Sequence, residues 1–449
     1  MEKLPLDVIS PILEQLHDRR DLNHCALVSW MFNRAATPLL YRTLDARLKP
    51  TTIKGRPVVV HACRTLLSKP EYAKYVRYAR ETAMCSIDPY VVRDCRKVLQ
   101  TCTNLRSFTW VDDAYEGTDD DIILGYVSIL QTLPYFTELT IRTSSGLSDR
   151  VWNKITQLTG LRRVSIWCLH GKPRVLQGWS ERLGSTLTHL ELGRCAGVPA
   201  TILVSVLSHL NKLKTLRLKG APSNSIPEIL SVLPNLECLD AEYFGSGTKR
   251  YNDEPVASLR ELTVRTSSVD QQGPQKLWSW IAGLIPRPSL ETLIMHTFST
   301  QGEMSMPRLF LLDLARTQKH TLKYFLLNTV QLTLEDLECL CTIFPELVAI
   351  SCSLAWCRNH AEIKRSIRNA RKLQRLRLHV NWIPGSSFST SRFGTREAME
   401  WMMGENSQLR VIEMGQDVYT GRWVRREPAV REPFVEFEVA CNTRDDPWI

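Results

Sequence analysis

Apolar residues recur along most of this chain in one short spacing: an apolar position, another three residues on, and a third two residues later. The triplets are Leu105/Phe108/Trp110, Phe136/Leu139/Ile141, Leu161/Val164/Ile166, Leu187/Leu190/Leu192, Leu213/Leu216/Leu218 and Leu236/Leu239/Ala241. They continue at Leu259/Leu262/Val264, Leu290/Leu293/Met295, Leu322/Phe325/Leu327, Leu347/Ile350/Cys352, Leu373/Leu376/Leu378 and Leu409/Ile412/Met414. The last two positions of each triplet are two apart, the period at which a strand points side chains to the same side. Between triplets lie helix-compatible stretches: Asp119–Leu130, Ser148–Leu158, Ala200–Leu210, Pro274–Ile285, Thr333–Phe344 and Glu362–Ala370. Leu133-Pro134, Leu233-Pro234 and Phe344-Pro345 then stop a helix before the next strand.

Leading residues of successive triplets are 23 to 36 apart, at or slightly above the repeat length of roughly 20–29 residues typical of leucine-rich repeats. Cys195 and Asn381 stand where that consensus places Cys or Asn, and Asp113, Ser144, Ser267 and Asp417 occupy the same place. Such side chains satisfy turn amides that would otherwise be buried unpaired. A short strand and a helix per repeat cannot bury their apolar faces alone, whereas stacking buries them together. The expected fold is therefore α/β: an irregular leucine-rich-repeat solenoid, strands on the concave face and helices on the convex face, over residues 101–420.

The first 45 residues carry a different pattern. Apolar residues at 8, 9, 12, 13 and 16 make one helix face, Asp21 can cap a second helix and Ser29 a third. Pro11 would cost a helix interior about 3 kcal/mol, so a start at Ser10-Pro11 is the alternative. Leu4-Pro5, Val8-Ile9, Ile12, Leu16, Asp21-Leu22, Leu27-Val28-Ser29, Phe32 and Leu40-Tyr41-Arg42-Thr43-Leu44 follow one another in an order that resembles the F-box. Phe32 and Tyr41 stand where that family usually has Trp. The resemblance implies a three-helix domain over 1–45 that docks an SKP-type adaptor and, through it, a cullin. It gives Leu4, Pro5, Ile9, Leu16, Leu22, Val28 and Tyr41 as the adaptor-binding residues.

Residues 46–100 read as a linker with degenerate first repeats, including helix-like stretches at Val58–Leu67 and Val91–Leu99. The alternation Phe434-Val435-Glu436-Phe437-Glu438-Val439 predicts a capping strand within 421–449.

Charge and chemistry narrow the function. The net charge of +10 is mild for 449 residues. The 13 cysteines have no framework spacing, no N-x-Ser/Thr sequon occurs, and Met1 to Pro5 does not start like a signal peptide. A cytoplasmic or nuclear setting without a membrane partner is the expectation. Cys339, Cys341, Cys352, Cys357 and His360 are the densest potential ligand set, but their spacing suits core cysteines rather than zinc. The expectation is no metal and no cofactor. Asp119-Asp120-Asp121 reads as a helix start, and Gly245-Ser246-Gly247-Thr248-Lys249 lacks phosphate-loop spacing. With neither His-Glu-x-x-His nor Gly-x-Ser-x-Gly, no catalytic residue is assigned.

The strand positions between the apolar ones form the expected binding face. They run from Arg142, Arg163, Trp167, Arg217 and Lys219 through Asp240, Glu242, Glu261 and Arg265 to Ile294, His296, Tyr324 and Leu326, then Arg375, Arg377 and His379. A nucleic-acid track would stay basic along its length, so a protein target fits this mixed face better. Trp167, Asp240, Glu242, Ile294, His296, Tyr324, Leu326 and Asn328 are its candidate contacts. With the resemblance, the leading expectation is a substrate receptor of a ubiquitin ligase. A non-degradative F-box scaffold and a nucleic-acid or chromatin binder are the alternatives.

Overall fold

The computed structural model describes residues 6–16, 18–53, 56–82, 89–112, 120–245, 257–266, 274–297, 304–383, 393–426 and 434–443. The chain divides into two compact units, residues 1–213 with 217–220, and residues 214–216 with 221–449.

The first unit opens with three helices, α1 (Leu6–Glu14), α2 (Arg19–Val28) and α3 (Trp30–Leu40). Ile9, Leu13, Leu22, Ala26, Ala35 and Ala36 close a small core between them. The caps follow local chemistry. Ser29 accepts from the Phe32 amide at 3.3 Å, as expected, but α2 is capped by Asp18, three residues before Asp21. Pro11 lies inside α1 rather than starting it. Its exposed ring leaves the missing amide bond on the solvent side, and Ile9 and Leu13 on the opposite face hold the helix down.

β1 (Thr43–Ile53) and β2 (Arg56–His61) form an antiparallel hairpin. The helix expected from Val58 therefore begins only at α4 (Cys63–Ser68). The reason is in the sequence: Val58-Val59-Val60 is β-branched and favours a strand. Thr43–Asp45 also pairs in parallel with β3 (Tyr78–Thr82), so the repeat sheet starts at Thr43, well before residue 101. α5 (Pro89–Thr101) and β4 (Ser107–Asp112) follow, then α6 (Asp120–Leu130), β5 (Glu138–Thr143), α7 (Asp149–Ile155) and β6 (Arg163–Cys168). The short α8 (Ser180–Leu183), β7 (His189–Leu192), α9 (Ala200–Leu207) and β8 (Thr215–Leu218) come next, the boundary between units falling within β8. Strands β3 to β7 pair in parallel, each with its sequence neighbour.

The second unit repeats the scheme with α10 (Ile226–Val232), β9 (Cys238–Tyr243), β10 (Glu261–Thr266), α11 (Pro274–Leu284), β11 (Thr292–Thr297) and α12 (Arg308–Gln318). It continues through β12 (Tyr324–Leu332), α13 (Leu334–Ile343), β13 (Ala349–Cys357), α14 (His360–Ile367), β14 (Arg375–Trp382), α15 (Thr395–Met402) and β15 (Val411–Met414). β16 (Asp417–Arg426) turns back antiparallel on β15, and β17 (Phe434–Thr443) pairs antiparallel with β16. The capping strand expected at Phe434 is thus one arm of a hairpin.

Triplet leucines supply the core: Leu161, Leu187, Leu190, Leu262, Leu290 and Leu293 are fully buried, each burial worth roughly 1.5–3 kcal/mol. The residue after each leading leucine does separate work. In the second unit the Arg260 amide donates to Glu237 O at 2.7 Å, the Glu291 amide to Arg260 O at 2.8 Å, and the Lys323 amide to Glu291 O at 2.8 Å. Their side chains repeat the ladder as charges. Lys214 pairs with Glu237 at 2.7 Å, while Glu291 takes Arg260 at 2.6 Å and Lys323 at 3.1 Å. Gln318, fully buried, sends its amide nitrogen to Ile285 O at 3.0 Å and accepts from the Leu290 amide at 2.9 Å.

Candidate functional site

Two surfaces concentrate groups able to recognise another molecule. The first is on the N-terminal helices, whose core is complete yet whose exterior stays apolar. Val8 and Ile12, one turn apart on α1, are exposed, as are Leu27, Val28 and Trp30 where α2 meets α3. Trp30 is 72% exposed with the Arg34 guanidinium 5.4 Å above its ring. Water-facing aliphatic and aromatic groups at this density mark a docking face.

The residues expected to contact an adaptor divide. Val28 lies on this exposed face. Ile9 and Leu22 are instead enclosed in the helical core, with Leu16 packed partly against it. Tyr41 is half-buried and stacks on Tyr72 at 4.8 Å. Leu4 and Pro5 lie outside the described residues. Reading the helix face as one stripe merged its inward positions with Val8 and Ile12, which point out. Leu27 and Trp30 were open to detection as apolar residues beside the Ser29 cap.

The second surface is the strand face of the second unit. The register sets Asp240, Thr263, Ile294, Leu326 and Ser351 side by side across β9 to β13, and Tyr324 beside Thr292. Phe325 and Leu327 are buried while Tyr324 is 39% exposed and Leu326 half-buried, so the alternation runs as the period of two requires. Arg265 holds Asp240 with Nε at 2.8 Å and Nη2 at 3.0 Å. His296 meets Asn328 at 2.9 Å between Nδ1 and Nδ2. Glu242 is half-buried on the same face, opposite Arg265 in register.

Asn328 has φ +49°, a left-handed conformation that Asn tolerates better than most residues, and the β12–β13 register shifts there. A second shift on β13 turns out Trp356, with φ +54° and 67% exposure. No triplet pattern foretells Trp356, because the bulge breaks the alternation that would have placed it.

Trp167 belongs to the first unit and forms a separate feature. Its indole N–H donates to Ser165 Oγ and Glu191 Oε2, both at 3.1 Å, and the Arg217 guanidinium lies 4.5 Å from its ring centre. Gly193 lets the ring lie flat, since a Cβ there would come within 2.5 Å of it. Arg142, Ser144 and Leu169 help line the adjoining cleft of about 300 Å³. A fixed aromatic plate beside two guanidinium groups suits an acidic or planar side chain.

Three cysteines of the ligand set considered from the sequence are core residues. Cys341, Cys352 and Cys357 are buried. Burial pushes the Cys352 thiol up to about 12 and the Cys357 thiol to about 11. Among the described residues they form no ligand cluster with Cys339 or His360.

Comparison with known proteins bears on the first surface. Residues 1–47 match the F-box-like family. No curated protein matches the chain in sequence. Among solved structures, the Rad7–Elc1 complex of yeast is similar at TM-score 0.42 and 12% identity, covering 74% of this chain and 85% of that one. The leucine-rich repeat-containing protein LegL7 of Legionella pneumophila gives 0.40 and 12%, covering 73% and 97%. A chain of the Drosophila Toll–Spatzle complex gives 0.29 and 10%, covering 76% and 51%.

Proposed function

We propose that this chain, an F-box-like domain followed by leucine-rich repeats, is the substrate-recognition subunit of a cullin-RING ubiquitin ligase. The helices dock an SKP-type adaptor, which links them to the cullin, and the strand face holds a protein target. The chain itself performs no chemistry; it brings a target to an enzyme carried by other subunits. Its setting is cytoplasmic or nuclear, where such ligases work.

The observation that carries this reading is the exposed set Val8, Ile12, Leu27, Val28 and Trp30 on a helical domain whose own core is already closed. Those side chains contribute nothing to the fold by staying in water, and burial against a partner recovers their transfer free energy. On the target side, Ile294, Tyr324 and Leu326 beside the Asp240–Arg265 pair combine apolar anchors with a charged rim, the composition of an interaction hot spot.

The test is capture of targets in cells by full-length chain and by chain lacking residues 1–47. The reading expects proteins that accumulate on the truncated bait and, with the full chain, only under proteasome inhibition. Equal capture by both baits without inhibition, and unchanged lifetimes, would support a non-degradative scaffold instead.

A further inference from the structure

One buried group of reactive side chains belongs to neither surface. His61 ends β2, Cys63 begins α4, Glu81 lies in β3 and Cys95 in α5, so four elements deliver their side chains to one place in the first unit. All four residues are essentially inaccessible to solvent. One donor atom each from His61, Cys63 and Cys95 lies within 4.8 Å of the other two. His61 Nδ1 is 3.4 Å from Cys95 Sγ, and the opposite ring nitrogen, Nε2, is 3.2 Å from Glu81 Oε1.

An ordinary core histidine does not account for Glu81. Its side chain is 1% exposed, yet neither carboxylate oxygen accepts a hydrogen bond, and His61 Nε2 donates none. A buried charge left so poorly paired costs several kcal/mol unless further charge compensates it. We propose that His61 Nδ1, Cys63 Sγ and Cys95 Sγ bind a zinc ion, with Glu81 behind the imidazole as the acceptor that orients it and water completing the coordination.

The dimensions suit the ion. Bonds of about 2.3 Å to sulfur and about 2.0–2.1 Å to nitrogen place tetrahedral N and S donors roughly 3.5 Å apart, beside the 3.4 Å observed. Two thiolates and an imidazole favour zinc over the hard cations magnesium and calcium. A carboxylate on the far nitrogen of a ligating histidine is the usual means of fixing its ring and tautomer. The Cys63 amide, which now donates to Nδ1 at 3.0 Å, yields that lone pair to the metal and turns to a thiolate.

Tying β2 and α4 to α5, the ion would brace the strands and helices that directly follow the F-box-like helices.

The experiment uses the full chain, purified under reducing conditions without chelator, with metal content measured by mass spectrometry and cobalt uptake followed by absorption. The site predicts about one zinc per chain and, with cobalt, thiolate charge-transfer bands together with those of four-coordinate metal. Cys95→Ser should lose both signals, whereas Cys441→Ser, at an exposed cysteine, should keep them. Glu81→Gln should still bind but about 10–100-fold more weakly, and this variant carries the test if Cys95→Ser does not fold. A folded wild-type chain that takes up neither metal, cobalt bands that survive Cys95→Ser, or unchanged affinity in Glu81→Gln would overturn the assignment.

Discussion

Arg265 on β10 grips Asp240 on β9 with two guanidinium nitrogens, although in strand register it stands opposite Glu242. The side chain crosses the face diagonally and makes a two-pronged bond, the strongest geometry open to an arginine and a carboxylate. Asp240 therefore meets a partner as half of an ion pair rather than as a bare negative charge.

Asp240→Ala should release the guanidinium to the face at little cost to the fold. Both groups are part-exposed, and pairs of this kind are worth about 1 kcal/mol or less. The expected outcome is a small fall in thermal stability and tighter binding of acidic peptides, read by calorimetry against a panel of charged peptides. A loss of several kcal/mol would mean that the pair holds the sheet together.

Adjacent positions on β12 should separate binding from folding. Tyr324→Ala and Leu326→Ser alter the half-open face and should weaken target binding with a stability change near 1 kcal/mol or below. Phe325→Ala removes a fully buried ring and should cost about 3–5 kcal/mol. Chemical denaturation of the three variants alongside target binding distinguishes the two roles.

These roles show how much was legible beforehand. The triplets disclosed the strands, their inward and outward sides, and hence the face carrying Ile294, Tyr324 and Leu326, because a period of two leaves little freedom once leucines fix the inside. The charge ladder was equally open to view: Glu237, Arg260, Glu291 and Lys323 all follow a leading leucine. What escaped depends on contacts between distant segments. His61, Cys63, Glu81 and Cys95 converge only after a hairpin, a strand and two helices have packed. Gln318 looks like an ordinary surface residue until the loop at Ile285–Leu290 wraps around its amide. On the N-terminal helices, one apolar stripe served two faces, and only packing shows that Ile9 turns in while Val8 turns out.

The ladder also makes stability depend on acidity. The Arg260 guanidinium, with Lys323, holds the Glu291 carboxyl below its ordinary 4.5. A lowered folded pKa contributes stability that is complete above the unfolded value and is lost as pH falls through the folded one. Glu291→Gln should therefore be less stable than wild type at neutral pH, by about 1 kcal/mol at most for so open a pair. The difference should close progressively below about pH 4.5. Melting curves of both proteins from pH 7 to about 3 check this; a gap constant with pH would contradict it.

The account stands chiefly on docking through the exposed helical face, and one titration tests that most directly. Full-length chain is titrated calorimetrically with a purified SKP-type adaptor, beside Val28→Asp and Trp30→Ala, two changes at exposed positions that leave the helical core intact. The account predicts a one-to-one complex for wild type and a loss of at least about 2 kcal/mol of binding free energy for each variant, with unaltered melting. An adaptor that does not bind wild type, or binds both variants as tightly as wild type, would contradict it.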